Sequence, residues 1–165
     1  MQIIRASRVF LQVVFTSLFI SGAVSAQASE AVDDMLAEAQ AALSKGKPEE
    51  AVSILRKAID MEPNRAELYM LRSRARDSSG KFDAALEDAS KYVQLEPTDS
   101  LGYLNRARVY LSLDKKDKAL EDANKAIELA PTDPDGYFRR ADIYTEMGKD
   151  AEAKADEAKA NELDK

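Results

Sequence analysis

Three arginines stand where a helical protein ordinarily places apolar side chains. They are Arg72, Arg106 and Arg140, each three residues after a tyrosine, in "YMLRSRARD", "YLNRARVYL" and "YFRRADIYT". A guanidinium offers donors in a fixed fork that fits carboxylate or phosphate, so such a ladder could grip an anionic ligand. It could equally hold the fold together. Sixteen residues after each arginine comes an aspartate: Asp88, Asp122 and Asp156. In an antiparallel helical hairpin, the two positions lie at about the same height. The first repeating segment has Glu38 and Ile54 there, and so lacks both partners. Joint presence and joint loss mark an ion pair, because a ligand site would not require the aspartate. The ladder therefore reads as structural, and Tyr69, Tyr103 and Tyr137 on the same stripe as packing residues.

Little else in the chain could do chemistry. It has no histidine and no cysteine, which leaves general bases near neutral pH scarce and removes thiolate nucleophiles, disulfides and zinc-thiolate sites. The carboxylates of "TDPDG" (Thr132 to Gly136) lack the ligand spacing of a calcium loop and read as a capped turn. No glycine-rich phosphate loop is present. The expectation is recognition without catalysis, cofactor or metal.

A spacing of 34 residues positions these side chains. It recurs at Ala51, Ala85, Ala119 and Ala153, at Pro63, Pro97 and Pro131, and at the turn residues Gly46, Gly80, Asp114 and Gly148. Four repeats result, spanning 32–65, 66–99, 100–133 and 134–165. Such a period is the signature of stacked helical hairpins, an all-α solenoid. In the third repeat Tyr103, Ala107 and Tyr110 share one helix face. Ala119, Leu120, Ala123, Ala126, Ile127 and Leu129 form the inward face of a second helix, which Pro131 closes. Asp133 before Pro134 predicts a capped helix start, and Ser29 and Asn64 are expected to cap in the same way. In the last repeat Lys154 stands where Val52, Leu86 and Leu120 do, and Asn161 where Ile59, Val93 and Ile127 do. That change predicts a solvated face on the final helix.

The first thirty residues differ in kind. Arg5 and Arg8 precede the apolar run Val9 to Ile20, and the small residues of "SGAVSAQAS" follow. These are the parts of a secretory signal peptide over residues 1–26, with cleavage expected after Ala26 or Ala28. Interrupted by Gln12, Thr16 and Ser17, the run is poorly suited to span a bilayer. Export is therefore expected, to a bacterial periplasm or out of the cell, with no membrane attachment after cleavage. Residues 1–26 carry two arginines and no acid, so their loss leaves 22 basic and 30 acidic residues, a net charge of −8. Nucleic acid or an anionic lipid surface would repel that balance, and no basic run offsets it.

The third repeat, "SLGYLNRARVYLSLDKKDKALEDANKAIELAPTD", resembles the tetratricopeptide repeat family in its early aromatic, Ala107, Tyr110, Ala119, Ala126 and Pro131. The first repeat, with Met35 and Ala42 at two of those positions, matches least. The resemblance implies a right-handed αα superhelix whose first helices line a concave groove for a peptide or helix. The stripe beside the arginine ladder would line it: Leu36 and Gln40, then Met70 and Arg74, then Leu101, Leu104, Arg108 and Leu111, then Phe138 and Asp142, with Asn105 and Arg139 beside them. Leu36, Met70, Leu104 and Phe138 would form an apolar ladder, and Arg74 with Arg108 a basic one. One subtype of the family clamps the carboxylate tail of heat-shock chaperones. Asn105 and Arg139 match that clamp, but Met70, Arg74 and Asp135 do not, which argues against it. The implied partner is a protein or peptide with apolar anchors and an acidic group near its middle. Asp33 and Glu67 at one end, and Asp135, Asp142 and Glu146 at the other, would disfavour acidic extensions. Self-association is the other expectation, with the imperfect first repeat as the contact in a structural component of an envelope or secretion complex.

Overall fold

A computed structural model describes residues 27–165; the expected signal segment, 1–26, lies outside the described residues. Eight helices follow one another there: α1 over 27–44, α2 Pro48–Met61, α3 Ala66–Ser78, α4 Phe82–Leu95, α5 Ser100–Ser112, α6 Lys116–Leu129, α7 Pro134–Glu146 and α8 Asp150–Leu163. From α2 onward each packs on its neighbour in the chain, and α3 also meets α5 as α5 meets α7; Val32, Ala39 and Ala42 of α1 join the core of α2 and α3. The odd-numbered helices thus stand side by side, and the hairpins stack into an αα superhelix. No described helix is long and apolar enough to cross a membrane.

Local chemistry sets the joints. Within each hairpin one turn residue takes a left-handed conformation: Gly46, Gly80 and Gly148 at φ 69, 73 and 71°, and Asp114 at φ 54°. Glycine adopts that region freely, whereas a side chain there is strained. Asp133 accepts from the Asp135 amide and Asp99 from the Leu101 amide, capping α7 and α5. Two expected caps fail. Ser29 sits inside α1, and Asn64 lies in the turn while Arg65 occupies the cap position without a side-chain bond. Arg65 instead reaches Asp33 at 2.6 Å, with Glu62 and Glu67 at 3.4 and 3.3 Å, tying α3 back to α1.

Close packing depends on small residues. Ala51, Ala85, Ala119 and Ala153 are at most 3% exposed. Gly102 lies so near α4 that a Cβ there would stand 2.5 Å from the Tyr92 ring. Lys154 and Asn161 are exposed on α8.

Each arginine of the ladder meets its aspartate inside its own hairpin. Arg72 Nε and Nη2 donate to Asp88 at 2.9 and 2.7 Å, Arg106 to Asp122 at 2.7 and 2.8 Å, and Arg140 to Asp156 at 2.7 and 2.8 Å. The carboxylates are buried and the arginines nearly so. The hydrogen bond to Asp122 outweighs burial and holds the Arg106 guanidinium above its ordinary value. Tyr69, Tyr103 and Tyr137 lie beneath these arginines, 5.6–5.8 Å from ring centre to guanidinium. Their hydroxyls donate to the carbonyls of Pro63, Pro97 and Pro131 in the preceding loop. In α3 a second arginine, Arg76, replaces the tyrosine found at 110 and 144 and also binds Asp88, at 2.8 Å. In the first hairpin Ile54 packs on the apolar core, and Glu38 is exposed.

Candidate functional site: the groove along the odd-numbered helices

With one stripe of each odd-numbered helix turned into its hairpin, the adjacent stripe faces outward along α1, α3, α5 and α7. Three adjoining hollows run along it. One of about 110 Å³ lies between Leu36, Gln40, Glu67, Met70, Leu71 and Arg74. A second, about 380 Å³, adds Leu43, Ser44, Ser78 and Arg108 around Gln40 and Arg74. The third, about 320 Å³, is lined by Met70, Arg74, Leu101, Leu104, Asn105, Arg108, Asp135, Phe138, Arg139 and Asp142. Arg74 borders all three, which makes them one continuous groove. Leu36, Met70, Leu104 and Phe138 all line it. None of the six ladder residues borders any of these hollows.

Not every expected residue is open in the same way. Leu101 and Phe138 are 45% and 38% exposed and face the third hollow, whereas Leu104, at 8%, forms its floor. Leu111 faces elsewhere: it packs half-buried with Met147 against Ala107, Ala119 and Ile143. The spacing placed it on the groove stripe, but at the end of α5 the next hairpin covers it. Glu146 lies outside the groove too. It borders a separate depression of about 610 Å³, with the lysines and aspartates of the α5–α6 turn.

Asn105 lines the third hollow, as expected of the groove, but it is also tied into the core. It is 8% exposed, and both ends of its amide are engaged: Nδ2 donates to Ser73 Oγ at 3.0 Å, and Oδ1 accepts from Arg108 Nη2 at 3.1 Å. Ser73, fully buried, donates to the Ala85 carbonyl at 2.9 Å. The chain Arg108–Asn105–Ser73–Ala85 runs from groove to core across α5, α3 and α4. Ser73 breaks a pattern in which Ala39, Ala107 and Ala141 hold the same place, and that single polar exception was the available sign. A buried hydroxyl needs a partner, and the neighbouring repeat supplies one.

The groove's charge is cationic at its centre. Asp77 Oδ2 lies 3.3 Å from Arg108 Nη1, and Asp142 3.1 Å from Arg139 Nη1. Asp77 Oδ1 and Arg139 Nε are buried without a hydrogen-bond partner. Burial, opposed by Asp77 and assisted by the nearby charges of Arg74 and Arg139, pulls the Arg108 guanidinium below its ordinary value. Arg74 is exposed. Among the described residues no carboxylate lies within 4.0 Å of it.

Three family models, each described as a tetratricopeptide repeat, match residues 36–100, 100–133 and 123–155. The chain belongs to the tetratricopeptide repeat family. No curated protein matches it in sequence. Similar solved structures include a crystal structure of MamA, at 25% identity and a TM-score of 0.69, covering 81% of this chain and 78% of that one. MamA from Desulfovibrio magneticus, at 18% identity, gives 0.70 over 81% and 75%. A thermophilic tetratricopeptide repeat protein of Thermus thermophilus, at 20% identity, gives 0.75 over 81% and 74%. The latter two likenesses are of fold alone. As a tetratricopeptide repeat protein the chain is built as a protein-interaction scaffold.

Proposed function

We propose that this tetratricopeptide repeat protein is exported and captures a protein or peptide in the groove along α1, α3, α5 and α7, without catalysis. The observation that carries the reading is the exposure of Leu101 and Phe138 in the hollow that Met70 and Arg74 also border. Exposed large apolar side chains gathered in a concavity are costly in water, and association removes that cost. The basic, apolar and small-residue segments of the first thirty residues support export.

The test is affinity capture from the exported fraction with the wild-type chain and with Met70→Glu plus Leu101→Glu. Both residues lie on the groove, and neither belongs to an ion pair of the hairpins. A partner retained by the wild type and lost by the variant is expected; equal retention would refute the groove. Light scattering of both proteins separates capture from self-association, since only the latter raises the mass with concentration.

A further inference from the structure

The groove's hollows lie on both sides of one unpaired cation, and that arrangement constrains the ligand's direction as well as its charge. Arg74 borders the hollows toward α1 and the hollow toward α7, and Arg108 borders one on each side. Arg108 is held in place by Asp77 and by the Asn105–Ser73 chain. Arg74, by contrast, has no carboxylate within 4.0 Å among the described residues. Apolar side chains flank the pair on both sides: Leu36 and Leu71 toward α1, Leu101 and Phe138 toward α7.

We infer that Arg74, with Arg108 pre-set beside it, seats an aspartate or glutamate side chain inside a partner segment whose chain continues in both directions along the groove. This rests on the groove being the capture surface, and specifies what it captures. A carboxylate matches a guanidinium that lacks one, and the apolar lining on each side takes a hydrophobic residue before and after the acid. A chain-terminal carboxylate at the same place would leave the hollows on one side empty. Asn105 is poorly placed to clamp a terminal carboxylate: it is 8% exposed, its Oδ1 accepts from Arg108, and one of its two amide hydrogens is given to Ser73. The acids at the ends of the groove keep the preference local. Asp135 and Asp142 line the far hollow, and Glu67 lines the near one, so further acids on the partner would meet like charge.

The experiment presents the full chain with two random libraries of short peptides, one with amidated and one with free C-termini, and sequences what is retained. Both libraries are expected to yield peptides with an internal Asp or Glu between apolar residues. Replacing that acid by its amide should weaken binding by about ten- to a hundredfold in fluorescence anisotropy. Arg74→Glu, an exposed substitution that breaks no ion pair of the fold, should abolish the preference or invert it toward Lys and Arg; circular dichroism checks that the variant stays folded. Enrichment that depends on a free C-terminus, or an acid preference indifferent to Arg74→Glu, overturns the inference. Capture lost on Met70→Glu but without any preference for an acid keeps the groove and removes the acid seat. Capture that is absent, or indifferent to Met70→Glu, removes both. Concentration-dependent mass in light scattering that Arg74→Glu suppresses would assign the seat to a second copy of this chain, against a separate partner.

Discussion

Removing Arg106 tests whether the arginine ladder holds the hairpins together. The guanidinium donates twice to Asp122, at 2.7 and 2.8 Å, with the aspartate side chain 8% and the arginine side chain 20% exposed. Taking one partner from a buried pair costs about 3–5 kcal/mol, because the other charge is left uncompensated. The two deletions should differ. Arg106→Ala strands a short carboxylate that cannot reach water, so about 3–4 kcal/mol is expected. It also removes the cation over the Tyr103 and Tyr110 rings. Asp122→Ala strands a long side chain that can swing its head toward solvent, so about 2–3 kcal/mol is expected. The double variant should lie near Arg106→Ala alone, giving a coupling of about 2–3 kcal/mol, the whole cost of Asp122→Ala. The second hairpin is an internal control. Asp88 is held by Arg76 as well as Arg72, so Arg72→Ala should cost roughly half as much as Arg106→Ala. Urea unfolding followed by circular dichroism, with unchanged denaturant slopes, measures all four. Additive losses for Arg106 and Asp122, or equal losses for Arg72→Ala and Arg106→Ala, would refute the reasoning.

Other outcomes follow from the same geometry. Asp114→Gly relieves a left-handed aspartate at φ 54° and should stabilise the chain by about 0.5–1 kcal/mol, seen as a higher urea midpoint. Gly102→Ala would press a Cβ onto the Tyr92 ring and should cost about 1–3 kcal/mol. Gly136→Ala would set a Cβ 2.8 Å from Cγ1 of Ile127, close to the branch point of a stiff side chain, and should likewise cost about 1–3 kcal/mol. Ser73→Ala leaves the Asn105 amide without its acceptor and should cost about 1–3 kcal/mol. Burial, then the hydrogen bond to Asp99, holds the Tyr92 hydroxyl above its ordinary value. The folded state therefore keeps a proton that the unfolded chain releases, and this contribution is present below pH about 10 and lost progressively above it. Tyr92→Phe should flatten the alkaline fall in stability measured by urea titration at successive pH values.

Whatever lies within one hairpin, or recurs from one hairpin to the next, was legible in the residues alone. A spacing of 34 located the helices and the left-handed turn positions, including Asp114 among glycines. A spacing of 16 paired each ladder arginine with an aspartate now seen at hydrogen-bond distance. Local rules gave the Asp133 cap but misplaced Ser29, which lies inside α1, and Asn64, whose neighbour Arg65 takes the cap position. Which residues of the outer stripe are open depends instead on how the hairpins stack. Leu101, Leu104 and Leu111 share that stripe, yet one is exposed, one is a floor and one is covered by the next hairpin. Asn105 and Ser73, on different repeats, meet only once the hairpins have stacked. The reason is geometric: periodicity fixes a side chain's angle around its own helix, while its exposure depends on the rotation and offset of the neighbouring hairpin. Those follow from all the packed contacts together, down to a glycine at 102 that lets two helices approach.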